Sequence, residues 1–293
     1  MIIAVHGNLS NKADAPIRHL AVHALPRGYQ VLSFDLPEHG DRKDEPTPCK
    51  IQYCVEDLKV IMAYARSRWK KISLFANSMG AFFSLLTYPK EPIEKALFLS
   101  PVVDMMRVIE NMMARFGVTQ ERLKKEQTIV SPDGQKMYWD YYCYVKEHSV
   151  GEWKVPTYLL YGSQDSMCES DTIYKFAERY SCDLEIVDGA EHFSIQMNRC
   201  RRWTRGFADA CRGRKRKHQQ AEYCPLMQAF LSHKLIDYMK HAVFVVGLCD
   251  KIRLFQYGGL CIGHGDASPA VSIMVISLYP SPQQIISSAV RPL

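Results

Sequence analysis

Along the first 192 or so residues, short apolar runs alternate with longer stretches in which apolar side chains recur every three or four positions. The runs are IIAV (2–5), QVLSF (30–34), ISLF (72–75), ALFLS (96–100), TYLLY (157–161) and LEIV (184–187). They are rich in β-branched and aromatic residues and read as strands. Residues 14–25 put Ile17, Leu20, Ala21 and Leu25 on one helical face, and residues 54–69 do the same with Val55, Leu58, Met62, Ala65 and Trp69. Strand-helix alternation of this kind predicts an α/β fold, a doubly wound and mostly parallel sheet with crossover helices.

One interval breaks the rhythm. About fifty residues separate ALFLS from VPTYLLY, more than a single covering helix needs. This stretch, about 103–153, reads as a helical insertion. Its first half repeats Met105, Ile109, Met112 and Phe116 at helical spacing, and its second half, MYWDYYCYVKEH, is dense in aromatic groups around Trp139. Packing of helices on one another accounts for the pattern. So does a lid whose Met105, Met112, Phe116 and Trp139 line an adaptable apolar pocket at the strand ends, where open α/β sheets bind ligands.

After about residue 193 the alternation stops and the charge changes. Residues 1–192 carry 23 Lys/Arg against 26 Asp/Glu, whereas 193–293 carry 14 against 5. Cys200, Trp203, Phe207 and Cys211 suit one amphipathic helix, and a second is readable from Pro225. The expected division is a domain over 1–205 and an atypical basic extension over 206–293. RGRKRKH in that extension reads first as a solvated basic linker, so nucleic acid is not expected as a partner; an abrupt shift in pattern also fits a frame-shifted or fused translation.

Composition narrows the class. With 47% apolar residues in 293, the chain supports a real core, and no window reaches the roughly 18 apolar residues of a membrane span. MIIAVHGNLS lacks a basic, then apolar, leader, and ten scattered cysteines form no CxxC pair. A cytoplasmic protein with free thiols is the expectation.

Candidate chemistry centres on KISLFANSMGAFFSLL (71–86). A strand that turns sharply into a helix holds the turn residue in strained dihedrals and lifts its side chain out of the sheet, and small neighbours two positions either side let the backbones meet. Ala76 and Gly80 flank Ser78 in this way. A serine hydroxyl is a poor nucleophile and needs an imidazole to take its proton and an acid to orient that imidazole. Asp165 follows the strand TYLLY in GSQD, and His192 follows LEIV in DGAEH. Ser78, Asp165 and His192 each stand just past a strand end, in the chain order of a nucleophile-elbow fold. Asp104, after ALFLSPVV, is the rival acid. The oxyanion donors expected are the amide of Met79, next to the nucleophile, and that of Asn8, in the turn HGN after the first strand. His6 is expected to be structural or gating rather than a base.

Taken together, AVHG, SFDLPEHGDR, LFANSMG, LLYGSQD and VDGAEHF resemble the α/β-hydrolase superfamily, specifically its small bacterial serine hydrolases of lysophospholipase or monoacylglycerol-lipase type. They span roughly residues 1–193. The resemblance implies an eight-stranded, mostly parallel sheet of which the first two strands are missing here. It departs from the family pattern at Ala76, in place of Gly, and at Glu38, in place of the Gly of the D-x-P-G-x-G loop. It implies hydrolysis of a carboxylic ester through an acyl-enzyme, which water cleaves without metal or organic cofactor; the apolar lid residues suggest an apolar acyl or aromatic group in the substrate. Thioesterase or peptidase activity on the same residues, and a non-catalytic binding protein of the same fold, are the alternatives.

Overall fold

The computed structural model describes residues 1–195 and the backbone strand Ile273–Ile276. Six strands come from the first part: β1 (Ile2–Val5), β2 (Val31–Phe34), β3 (Ile72–Asn77), β4 (Ile93–Leu99), β7 (Thr157–Gly162) and β8 (Asp183–Val187). With β9 (Ile273–Ile276) they form one sheet in the order β8-β7-β4-β3-β1-β2-β9, every neighbouring pair parallel. The sequence reading placed no strand after residue 187; Ile273, Val275 and Ile276 carry the β-branched signal it passed over. Both expected helices beyond residue 193, the RGRKRKH segment and the boundary at 205/206 lie outside the described residues.

Helices cover both faces, so the strands are nearly continuous apolar runs. The pleat divides them. Ile2, Ala4, Val31, Phe75, Leu97, Leu99 and Leu160 pack with Ile17, Leu20, Ala21 and Ala24 of α1 (Ala15–Ala24) on one face. Ile3, Val5, Leu32, Leu74, Ala76 and Phe98 pack on the other, against α2 (Ile51–Arg68), α3 (Met79–Thr87) and α7 (Ser170–Arg179). Each fully buried Leu, Ile or Phe contributes about 1.5–3 kcal/mol. α1 starts where Asp14 accepts a hydrogen bond from the Ile17 amide at 3.0 Å, as an N-cap should. Its fourth core residue is Ala24; Leu25, expected in the stripe, is the C-cap.

The insertion holds α4 (Met105–Arg115), α5 (Gln120–Glu126), an antiparallel hairpin of β5 (Thr128–Val130) and β6 (Lys136–Tyr138), and α6 (Trp139–Glu147). The hairpin corrects the purely helical expectation. Its turn, SPDG, closes with a 2.9 Å bond from the Gly134 amide to the Ser131 carbonyl, Gly134 taking φ +83°. On α4 the buried residues are Met105, Ile109 and Met113, while Met112 and Phe116 are half-buried. Eight residues, not seven, returns to the same face after two turns here. Among the described residues no helix is long and apolar enough to cross a membrane.

Register fixes the strand ends relative to one another. Asn77 pairs with Leu99, Leu99 with Leu160, and Gly162 with Val187. The turns after β3, β4, β7 and β8 therefore open at one edge of the sheet.

Candidate active site

β3 ends at Asn77 and α3 begins at Met79, leaving Ser78 alone to turn the chain. Its backbone adopts φ +51° and ψ −119°, a region that costs an L-residue about 1–3 kcal/mol. Three bonds fix it: the Ser78 amide donates to the Leu99 carbonyl at 2.9 Å, while its carbonyl accepts from Ala81 at 3.0 Å and Val102 at 3.1 Å. Crowding explains the small neighbours. A Cβ on Gly80 would lie 2.5 Å from the His6 carbonyl oxygen and 2.9 Å from that of Val5, so glycine is required there. Two residues before the serine, the Ala76 methyl is accommodated with no exposed surface. The departure from glycine at that position therefore costs the turn nothing visible. A Cβ on Gly7 would come 3.0 Å from the Cβ of Ser78, which shows how closely the HGN turn approaches.

Ser78, His192 and Asp165 meet. The Ser78 Oγ–H donates to His192 Nε2 at 2.8 Å, and the His192 Nδ1–H donates to Asp165 Oδ2 at 2.7 Å. All three side chains are buried. The second carboxylate oxygen, Asp165 Oδ1, accepts from the amides of Met167 and Cys168, each at 2.9 Å. Those bonds leave Oδ2 facing the imidazole and set the tautomer that keeps Nε2 free to accept. Gly162 of LLYGSQD lets the histidine loop approach closely, since a Cβ there would lie 2.3 Å from the Ala190 carbonyl oxygen. That carbonyl accepts from Gln164 at 2.9 Å, tying the histidine loop to the aspartate loop.

Other sequence candidates are placed differently. Asp104 is exposed and caps α4, accepting from the Arg107 amide at 3.0 Å; among the described residues no bond joins it to His192. Met79 is the first residue of α3, so its N–H has no intrahelical acceptor. Neither that amide nor the Asn8 amide donates to another described residue. His6 is wholly buried: its Nδ1–H donates to the Gly7 carbonyl at 2.8 Å and its Nε2 accepts from Leu36 at 3.0 Å. Burial holds its pKa down at about 4, and both nitrogens serve the backbone. Met105 lines a cavity of about 530 Å³ with Phe82, Val103, Val145 and Phe176. Ser78, His192, Met112, Phe116 and Trp139 are not among its walls; Trp139 instead stacks on Tyr142, ring centroids 5.4 Å apart.

The loop after β2 departs from the expected glycine at Glu38, and its backbone there has φ +60°. Glu38 compensates with its side chain, accepting from the Cys49 amide at 2.8 Å and from Lys136 Nζ of β6 at 3.0 Å. Asp35 anchors the same loop, accepting from the Lys12 amide at 2.7 Å, Lys12 Nζ at 2.5 Å and the Asp41 amide at 3.0 Å. Sequence reasoning missed this buried pair, and also Ser100, whose position just past a strand end was the available signal.

Asp165, Cys168 and His192 offer ligand atoms within 4.8 Å of one another. Burial pushes the Cys168 thiol above its ordinary range, and His192 and Asp165 are already hydrogen-bonded to each other.

No protein-family model and no curated protein sequence matches the chain. Solved structures do. Est1E from Butyrivibrio proteoclasticus, with ferulic acid bound, is 18% identical with a TM-score of 0.57, the match covering 72% of this chain and 88% of that one. The alpha/beta hydrolase domain-containing protein 10 from mouse is 14% identical, TM-score 0.57, over 72% and 89%. The Pyrococcus furiosus esterase Pf2001 is 21% identical, TM-score 0.52, over 71% and 82%. The strand order, the single-residue turn at Ser78 and these likenesses agree: the chain has the fold of the α/β-hydrolase superfamily.

Proposed function

We propose that the protein is a serine hydrolase that cleaves a carboxylic ester through an acyl-enzyme. The observation that carries the reading is the unbroken hydrogen-bonded series from Ser78 Oγ through His192 to Asp165, with Ser78 held in a strained turn. Ser78 Oγ attacks the ester carbonyl as His192 Nε2 takes its proton. Asp165 orients the ring and stabilises the imidazolium. The tetrahedral oxyanion is received by the amides of Met79 and Asn8, each such donor being worth about 3–4 kcal/mol of transition-state stabilisation. His192 then protonates the leaving alcohol, and water, activated by the same imidazole, releases the acid and restores Ser78.

The surroundings support a substrate class. Leu9 and Phe193 are 84% and 78% exposed, and they directly follow Asn8 and His192. Apolar groups beside the oxyanion turn and the base favour an apolar acyl or aromatic group in the ester. The insertion over 103–153 acts as the lid in this reading, and of its four expected pocket residues Met105 lines a cavity. Similarity to proteins described as esterases supports ester over thioester or amide.

Hydrolysis of p-nitrophenyl acetate by the full chain tests the reading. Ser78→Ala is expected to lower kcat at least about 10³-fold. A folded wild type no faster than Ser78→Ala points instead to a non-catalytic binding protein.

A further inference from the structure

Ser100 stands at the centre of the row of strand-end turns. It directly follows β4, is fully buried, and adopts φ +41°. Its amide donates to the Leu160 carbonyl of β7 at 2.8 Å, and its Oγ–H donates to the carbonyl of His192 at 2.9 Å. On either side of it, Leu99 accepts from the Ser78 amide and Val102 donates to the Ser78 carbonyl. One four-residue segment thus grips the backbone of Ser78 and the backbone of His192 together.

The backbone conformation of Ser100 is costly for an L-residue, about 1–2 kcal/mol, and a glycine would adopt it freely. What the serine supplies in return is its hydroxyl, the only donor among the described residues to the His192 carbonyl. A buried carbonyl left without a partner costs about 1–3 kcal/mol, so the loop would move to find another. The loop is otherwise tied near the ring at Ala190. Removing the second tether frees the backbone of His192 to rotate, which swings the imidazole out of line with Ser78 and Asp165.

We propose that Ser100 is a positioning residue for the hydrolysis set out above, on which this role rests: its hydroxyl pins the carbonyl of His192 and so aims the imidazole at Ser78 Oγ. The test compares Ser100→Ala, which keeps the strain, with Ser100→Gly, which relieves it, in the full chain. Both are expected to lower kcat for p-nitrophenyl acetate about 10- to 100-fold with KM within about twofold, the signature of a misaimed base. Both are also expected to broaden or abolish the low-field proton resonance of His192 Nδ1–H, identified by its absence in His192→Ala. The Gly variant should melt at or above the Ala variant, which separates the lost hydroxyl from the backbone. A folded Ser100→Gly with wild-type kcat and an unchanged resonance overturns the proposal. A wild type without turnover overturns the hydrolase reading alone, since the resonance still reports whether Ser100 holds the ring.

Discussion

The α-carbon of Gly80 faces the carbonyl oxygen of His6 so closely that a Cβ would lie 2.5 Å from it. Here α3 starts against the end of β1, and the obstacle is backbone, which cannot swing aside as a side chain can. Alanine ordinarily favours a helix over glycine by about 1 kcal/mol. At this position the collision outweighs that gain. Gly80→Ala is expected to lower the urea midpoint, corresponding to about 1–3 kcal/mol of overpacking, with little change in m. An unchanged or higher midpoint would show that the turn can open.

Glu38 presents the opposite case, a bulky residue at φ +60° that its side-chain bonds repay. Glu38→Ala loses the bonds and keeps the strain, whereas Glu38→Gly loses the bonds and sheds it. The glycine variant should therefore be the more stable of the two by about 1 kcal/mol in chemical denaturation. Equal stabilities would mean that the loop relaxes once the carboxylate is gone.

The two candidate acids differ in what they hold. Asp165 faces His192, while Asp104 caps a helix at the surface. Asp165→Asn is expected to reduce ester turnover about 10³- to 10⁴-fold at near wild-type KM. Asp104→Asn should leave kcat within a few-fold and cost no more than about 1 kcal/mol of stability, since Asn also caps helices. The reverse ranking in steady-state kinetics would move the acid role to Asp104.

His6 links stability to pH. Its folded pKa of about 4 lies below the ordinary histidine value of about 6.5, chiefly through burial. Above pH 6.5 the ring is neutral whether the chain is folded or not. As pH falls from 6.5 towards 4, only the unfolded chain gains the proton, so stability falls through that window. His6→Gln removes the linkage. Urea unfolding between pH 7 and pH 5 should lose up to about 2 kcal/mol less in this variant than in the wild type. Parallel slopes would show that His6 is protonated in the fold.

The strands were legible because burial on both faces writes each of them as an unbroken apolar run, and five of the six begin within a residue of the run that marks them. β4 is the exception. Ile93 and Glu94 extend it upstream of ALFLS, where an exposed glutamate interrupts the apolar signal. The hairpin in the insertion was harder to read because β5 and β6 have three residues each, too few to display a period, although the Pro-Asp-Gly turn between them was visible. Among the site residues, the meeting of Ser78, Asp165 and His192 could be expected from their places after strands. Ser100 also stands just past a strand end, but its bond to a main-chain carbonyl 92 residues away is one that no side-chain pattern announces. On α4 the ambiguity between Met112 and Met113 is one of rotation, and only packing against the core resolves it.

The central claim is that Ser78 is a nucleophile activated by His192. Intact-mass and peptide-mapping mass spectrometry after treatment with a fluorophosphonate tests it most directly, with Ser78→Ala and His192→Ala alongside. The account predicts a single adduct on Ser78 in the wild type, none on Ser78→Ala, and labelling slowed at least about 100-fold in His192→Ala. A folded wild type that stays unmodified, or an adduct that persists in Ser78→Ala, would contradict it.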